Sequence, residues 1–89
     1  MARDIRLTLI GKPGCHLCDD AREVVHRVVT EIEATDASQR VVLEERSILD
    51  DDELRARYAE EIPVLLIDDV VHDYWRIDPV RLKTALLAV

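Results

Sequence analysis

The feature that most constrains the fold of this chain is a segment of alternating apolar and polar residues that is followed closely by apolar residues at helical spacing. Ile5, Leu7 and Leu9 alternate with polar residues, which is the pattern of a half-buried strand. Beyond a short segment rich in turn residues, apolar positions recur at helical spacing, and they are Leu17, Ala21, Val24, Val25, Val28, Val29 and Ile32. A strand that leads directly into a long amphipathic helix indicates an α/β protein.

Residues 41–48 are predicted as a second strand. Their apolar first half is followed by Glu44, Glu45 and Arg46. Charged side chains suit the edge of a sheet, because they oppose pairing with other chains. The polar residues 34–40 before this strand are typical of a turn.

A short helix is predicted from Asp50 to about Glu60. Asp50 is followed three residues later by Glu53, which is the spacing of a capping box. The two aspartates after Asp50 would lie in the positively polarised first turn of this helix. The residues expected on its buried face are Leu54 and Tyr58.

Residues 64–74 are predicted as a hairpin followed by a last helix. Four consecutive apolar residues precede Asp68-Asp69, a pair that tolerates the left-handed backbone of a tight turn, so the first hairpin strand is expected to be central. Asp78-Pro79 supplies an N-cap and a proline at the first helical position. The apolar positions of the last helix are Leu82, Ala85, Leu86 and Val89.

The predicted order is therefore β-α-β-α-β-β-α, in one α/β domain over residues 1–89. The first two strands are expected to be parallel neighbours joined by a right-handed crossover. Three helices would flank a four-stranded mixed sheet on both faces. The chemistry is then expected where a strand's carboxyl end meets a helix N-terminus, which is the turn at Gly14-Cys15.

Charge and hydropathy exclude several partners. The 89 residues include 12 Lys and Arg against 19 Asp and Glu, for a net charge of −7. This balance argues against nucleic acid and anionic membranes as partners, because both are recognised through excess positive charge. No apolar run has the length of a membrane span, and no signal peptide is evident at Met1. We expect a cytoplasmic monomer.

The two cysteines stand in Cys15-His16-Leu17-Cys18. A disulfide closing so short a loop would stabilise the fold by only roughly 2 kcal/mol, and cytosolic thiols are kept reduced, so a structural brace is disfavoured. A zinc site needs about four ligands, which His16, His26 and His72 do not complete in one chain. We expect no metal, with a centre shared by two chains as the alternative. The spacing favours a redox-active dithiol.

Each cysteine has a predicted role. Cys15 would lie at the helix N-terminus, where unpaired N–H groups and the helix dipole stabilise a thiolate and lower the pKa of its thiol. It is therefore the expected nucleophile. Cys18, one turn on and about 5–6 Å away, is the expected resolving thiol. A protonated His16 would make the pair more oxidising, or His16 is a solvent-facing residue without a role.

Two segments together resemble a known family. Lys12-Pro13-Gly14-Cys15-His16-Leu17-Cys18 and Ile62-Pro63-Val64-Leu65 resemble small bacterial glutaredoxin-like proteins of the thioredoxin-fold superfamily. The resemblance implies a thioredoxin-like fold and a thiol-disulfide oxidoreductase without a bound cofactor. Its substrates would be protein disulfides or mixed disulfides, with glutathione or another low-molecular-weight thiol as the reductant. The alternative is a redox-sensing or metal-binding interaction module without turnover.

The resemblance also implies substrate-binding residues. Pro63 would follow a cis peptide bond opposite the nucleophile, with the backbone of Ile62 pairing to an extended substrate. Otherwise Pro63 simply opens a strand. Lys12 would help to hold the carboxylate of glutathione, or it is a solvated loop lysine.

Two departures from the family pattern point to a thiol other than glutathione. His16-Leu17 replaces the usual aromatic residue and proline between the cysteines. Bulky residues in segment 72–78 replace a Gly-Gly pair that leads into an aspartate, and Asp78 is already explained as an N-cap. Trp75 and Arg76 are expected near Pro63, as an aromatic and cationic wall for an anionic thiol or a protein partner. Alternatively, Trp75 covers the small core.

Overall fold

The structure, a computed structural model, describes residues 3–35 and 39–88. The predicted order of elements is confirmed. The elements are β1 (Arg3–Gly11), α1 (His16–Thr35), β2 (Gln39–Ser47), α2 (Asp52–Tyr58), β3 (Val64–Ile67), β4 (Val70–Tyr74) and α3 (Pro79–Ala88).

The four strands form one mixed sheet in the order β2-β1-β3-β4. β1 pairs in parallel with β2, while β3 is antiparallel to both β1 and β4. The parallel first pair, the edge position of β2 and the central position of β3 are confirmed. Gly11 pairs with Ser47, and Ile10 pairs with Val64. The carboxyl ends of β1 and β2 and the start of β3 therefore lie together at one end of the sheet.

Apolar side chains fill both faces of this sheet, because successive residues of a strand point to opposite sides. On one face, Leu7 and Leu9 pack with α1 and α3 residues such as Val25 and Leu82. On the other face, the cluster consists of Ile10, Ile48, Val64 and Leu66, with Leu54, Tyr58 and Ile62 half-buried against it. The fold class is confirmed as thioredoxin-like, with helices on both sides of the sheet.

Several predicted boundaries are wrong. The N-cap of α2 is Asp51 and not Asp50, because the Asp51 carboxylate accepts hydrogen bonds from the N–H groups of Glu53 and Leu54, at 3.0 and 3.2 Å. Residues 34–35 belong to α1 and residues 39–40 belong to β2, which pairs along the whole of β1, so none of these four lies in the predicted turn. Ile48 lies one residue beyond the end of β2. Residues 36–38 of the predicted turn, and Val89 of the last helix, lie outside the described residues.

The predicted hairpin turn and the last helix cap are both present. Asp68 and Asp69 adopt left-handed backbone, with φ of 48° and 69°. The carboxylate of Asp78 accepts hydrogen bonds from the N–H groups of Val80 and Arg81, at 2.9 and 3.2 Å. Across the ranges 3–35 and 39–88, no helix combines the length and the apolar character needed to span a membrane.

His72 gives the fold a pH dependence. Its side chain is half-buried on β4, and its Nε2 atom has no hydrogen-bond partner among the described residues. Burial, together with the nearby charge of Arg81, lowers the pKa of His72 below its ordinary value of 6.5, and Asp73 opposes this only in part. The unfolded chain therefore takes up this proton more readily than the folded chain does.

We expect the ionisation of His72 to leave the free energy of unfolding unchanged above pH 6.5 and to lower it progressively as the pH drops below 6.5. His72→Gln is expected to flatten this dependence, as measured by urea denaturation at several pH values. The same substitution at the exposed His26 is the matched control. An unchanged pH dependence in His72→Gln would contradict the prediction.

Candidate redox site

Cys15 and Cys18 are joined by a disulfide, with their Cα atoms 5.1 Å apart. Cys15 directly precedes α1, and its carbonyl accepts the first helical hydrogen bond from Asp19, at 3.0 Å. The backbone N–H of Cys18 donates to the Sγ atom of Cys15, at 3.2 Å. Cys15 is thus the N-cap residue of α1, and a helix N–H group already points at its sulfur. The same contact would stabilise a thiolate once the disulfide opens.

The two cysteine residues differ in exposure. Cys15 is half-buried, whereas Cys18 is only 2% exposed. An incoming disulfide can therefore reach Cys15 but not Cys18. This asymmetry suits the predicted roles, which remain predictions, of Cys15 as the nucleophile and Cys18 as the resolving thiol.

Gly11 makes room for Cys18. A Cβ atom at Gly11 would lie 2.9 Å from the Sγ atom of Cys18 and 3.2 Å from its Cβ atom. A buried sulfur held in a disulfide has little freedom to move aside. The sequence alone does not reveal this contact, because it depends on how the last residue of β1 packs against α1.

Asp19, which follows Cys18 in the sequence, is paired with a cation. Asp19 accepts a hydrogen bond from Arg22 at 2.9 Å, and Arg22 also binds Glu45 on β2. These two contacts, Glu45 first, raise the pKa of Arg22 further. The positive charge of Arg22 thus offsets the negative charge of Asp19 one turn after Cys15.

The Ile62–Pro63 peptide bond is cis, as the resemblance implies. Pro63 is buried, and its carbonyl accepts a hydrogen bond from the N–H of Trp75 at 2.8 Å. The pairing of Ile10 with Val64 places Pro63 beside the end of β1. Within the described part of the chain, neither the N–H nor the C=O group of Ile62 forms a hydrogen bond. These two groups are free to pair with a bound segment.

Two of the predicted binding residues are exposed and make few contacts. Lys12 lines an open cavity of about 340 Å³ together with Cys18, Arg46 and Asp50. Its ammonium group forms no ion pair with any residue that the structure describes. His16 is exposed at the first position of α1. A role for either residue stays a prediction.

Trp75 does not cover the core. It is 53% exposed, and Ile77, at 6% exposure, is the neighbouring residue that packs into the core. Trp75 has a left-handed backbone with φ of 64°, which turns the chain where β4 ends. Its Nε1–H donates to the carbonyl of Glu60 at 3.1 Å, and its ring meets that of Tyr74 at 5.0 Å, edge to face. The indole therefore lies on the loop that precedes Pro63.

The backbone of Trp75 allows a direct test of this geometry. We expect Trp75→Gly to be more stable than Trp75→Ala by roughly 1 kcal/mol, because the left-handed conformation is costly for alanine and not for glycine. Both variants lose the indole, so their difference in free energy of unfolding isolates the backbone. An alanine variant as stable as the glycine variant would contradict the left-handed assignment.

The predicted site residues fall into two groups around the disulfide. Lys12 lines a cavity together with Cys18 and the last residues of β2. Trp75 and Arg76 instead line open cavities together with Leu17. Considering residues 3–35 and 39–88 alone, no three His, Cys, Asp or Glu side chains come together as a metal site.

Comparison with known proteins agrees with this geometry. The model of the family described as "Glutaredoxin-like domain (DUF836)" matches residues 6–87. The crystal structure of protein XcR50 from X. campestris is 29% identical, with a TM-score of 0.70 over 93% of this chain and 97% of that one. The solution structure of protein Ne2328 from Nitrosomonas europaea is 20% identical, with a TM-score of 0.71 over 96% of this chain and 94% of that one. No curated protein matches the sequence.

Proposed function

Because the chain belongs to the glutaredoxin-like domain family, we propose that it is a thiol-disulfide oxidoreductase that cycles Cys15 and Cys18 between dithiol and disulfide. The observation that carries the proposal is the asymmetry of the pair. The reachable Cys15 stands at a helix N-terminus and is bonded to Cys18, which is 2% exposed. This arrangement suits attack by one sulfur and release by the other.

The reaction would proceed in two exchanges. The Cys15 thiolate attacks one sulfur of a substrate disulfide, forms a mixed disulfide and releases the other substrate sulfur as a thiolate. Cys18 then loses its proton and attacks the Sγ atom of Cys15, which releases the second substrate thiol and closes the Cys15–Cys18 disulfide. Two electrons pass from the protein to the substrate. A low-molecular-weight thiol, glutathione or another, would return them.

The helix N-terminus has a further effect on this cycle. A stabilised Cys15 thiolate is a weaker nucleophile per molecule, but it is a better leaving group when another thiol attacks the sulfur bonded to it, as when the reductant opens the disulfide at Cys18 or displaces Cys15 from a mixed disulfide. The same stabilisation favours the reduced form and makes the pair more oxidising. The N–H of Cys18, 3.2 Å from the Cys15 sulfur, is the group that supports this effect most directly.

Catalytic turnover tests the proposal. The reduced protein is expected to accelerate the reduction of insulin, or of a small mixed disulfide, when a thiol reductant is supplied in excess. The Cys15→Ser variant, measured alongside, reports the uncatalysed rate. A wild-type protein that forms its disulfide reversibly but turns over neither substrate would contradict the proposal and favour a redox-sensing module instead.

A further inference from the structure

An exposed surface beside the disulfide, which we call the aromatic groove, is formed by Leu17, Tyr74, Trp75 and Arg76. These residues line an open cavity of about 440 Å³. Leu17 stands between the two cysteines in the sequence, so one wall of the groove belongs to the same first turn of α1 as the redox pair. The groove is therefore placed to select what Cys15 attacks.

The composition of the chain makes this groove unusual. The protein has one tryptophan, two tyrosines and no phenylalanine. Two of these three aromatic side chains, Tyr74 and Trp75, remain 45% and 53% exposed in the groove. Burying such side chains is a large source of stabilisation, both in cores and at interfaces. Their exposure side by side at the redox pair leaves that stabilisation available to a bound partner.

A smaller cavity of about 140 Å³ shares Leu17, Trp75 and Arg76 with the groove. Its other lining residues are Ala21, Val24, Ile77 and Asp20. Most of these side chains are apolar, and the volume suits one aliphatic side chain. The larger cavity thus has an apolar pocket beside it, into which a side chain of the occupant can insert.

Arg76 supplies the charge of the groove. It is exposed, and its guanidinium forms no ion pair or hydrogen bond with a described residue. Six other cations do pair with carboxylates, namely Arg22, Arg27, Arg46, Arg55, Arg81 and Lys83. In a chain of net charge −7, an arginine left without a carboxylate partner at the groove favours an acidic group on the occupant.

We propose that the aromatic groove binds an extended segment of a protein substrate, with an aliphatic and an acidic side chain close to its disulfide-bonded cysteine. The proposal rests on the proposed oxidoreductase function. The aliphatic side chain enters the small pocket, and the carboxylate pairs with Arg76. The free N–H and C=O groups of Ile62 hold the backbone of the segment. A small anionic thiol satisfies Arg76 but leaves the aromatic side chains uncovered.

A charge swap tests this specificity. Two peptides, identical except for Glu or Lys next to a leucine and a single cysteine, are each joined by a mixed disulfide to a small uncharged thiol. Reduced protein is mixed with each peptide, and the formation of peptide thiol, small thiol and oxidised protein is followed. We expect the wild type to react roughly 10-fold faster with the Glu peptide, and Arg76→Glu to prefer the Lys peptide.

The control is Arg27→Glu, an exposed residue of α1 that carries the same change of charge away from the groove. It should keep the wild-type preference. An Arg76→Glu variant that still favours the Glu peptide would overturn the proposal, as would a wild type that reduces a small-thiol disulfide readily but does not distinguish the peptides. A wild type that reduces neither peptides nor small-thiol disulfides would instead refute the proposed function itself.

Discussion

Replacing Cys15 with serine is expected to abolish disulfide exchange, whereas Cys18→Ser is expected to stop the reaction midway. Cys15 is the sulfur that a substrate can reach, and a serine hydroxyl is not ionised at neutral pH. We expect the rate to fall at least about 100-fold, which corresponds to about 2.7 kcal/mol of activation free energy. In Cys18→Ser, attack by Cys15 remains possible but the mixed disulfide cannot be resolved internally.

The two variants are distinguished by mass spectrometry after exposure to a disulfide substrate. Cys18→Ser should accumulate a substrate adduct that maps to Cys15, and Cys15→Ser should stay unmodified because Cys18 is 2% exposed. The double variant, with both cysteines replaced, sets the background. Rapid adduct formation on Cys18 in the Cys15→Ser variant would reverse the assignment of the two roles.

Adding one methyl group at Gly11 is expected to disturb both the fold and the resolving step. The new Cβ would lie 2.9 Å from the Sγ atom of Cys18, so either the strand or the sulfur must shift. Overpacking of this kind costs typically about 1–3 kcal/mol. We expect Gly11→Ala to lower the free energy of unfolding by that amount, and to lengthen the lifetime of the mixed disulfide on Cys15.

Gly14 is the matched control for Gly11. It has φ of 75°, and a Cβ atom there would have nothing within 4 Å, so its constraint is the backbone and not space. Asparagine tolerates left-handed backbone better than alanine does. Gly14→Asn should therefore recover part of the stability lost in Gly14→Ala, whereas Gly11→Asn should be no better than Gly11→Ala. Denaturant titration of the four variants measures both comparisons, and rescue at Gly11 would contradict the packing explanation.

The sequence contained enough information for the element order and for the position of the redox pair. Alternation in β1 and the helical stripe of α1 are local patterns, and the cysteines stand at their junction. The turn at Asp68-Asp69 and the cap at Asp78 were also predictable, because each depends on the conformational preference of a single residue type.

The errors arose where tertiary contacts outweigh local preference. Two neighbouring aspartates can both cap α2 by local preference, and in the fold it is the carboxylate of Asp51 that accepts the hydrogen bonds from Glu53 and Leu54. The small number of aromatic residues favours Trp75 as a cover for the core. The left-handed turn at this position instead directs the indole toward Glu60. The packing of Gly11 against Cys18 cannot be predicted from the sequence, in which only the glycine itself is visible.

A single-turnover reaction between the reduced wild-type protein and one equivalent of a disulfide substrate tests the central claim most directly. We predict that the substrate is reduced in step with the loss of two hydrogens from the protein, and that peptide mapping then finds the Cys15–Cys18 disulfide. A substrate that is reduced while both cysteines stay as thiols, or a protein that remains a dithiol beside an intact substrate, would contradict the account.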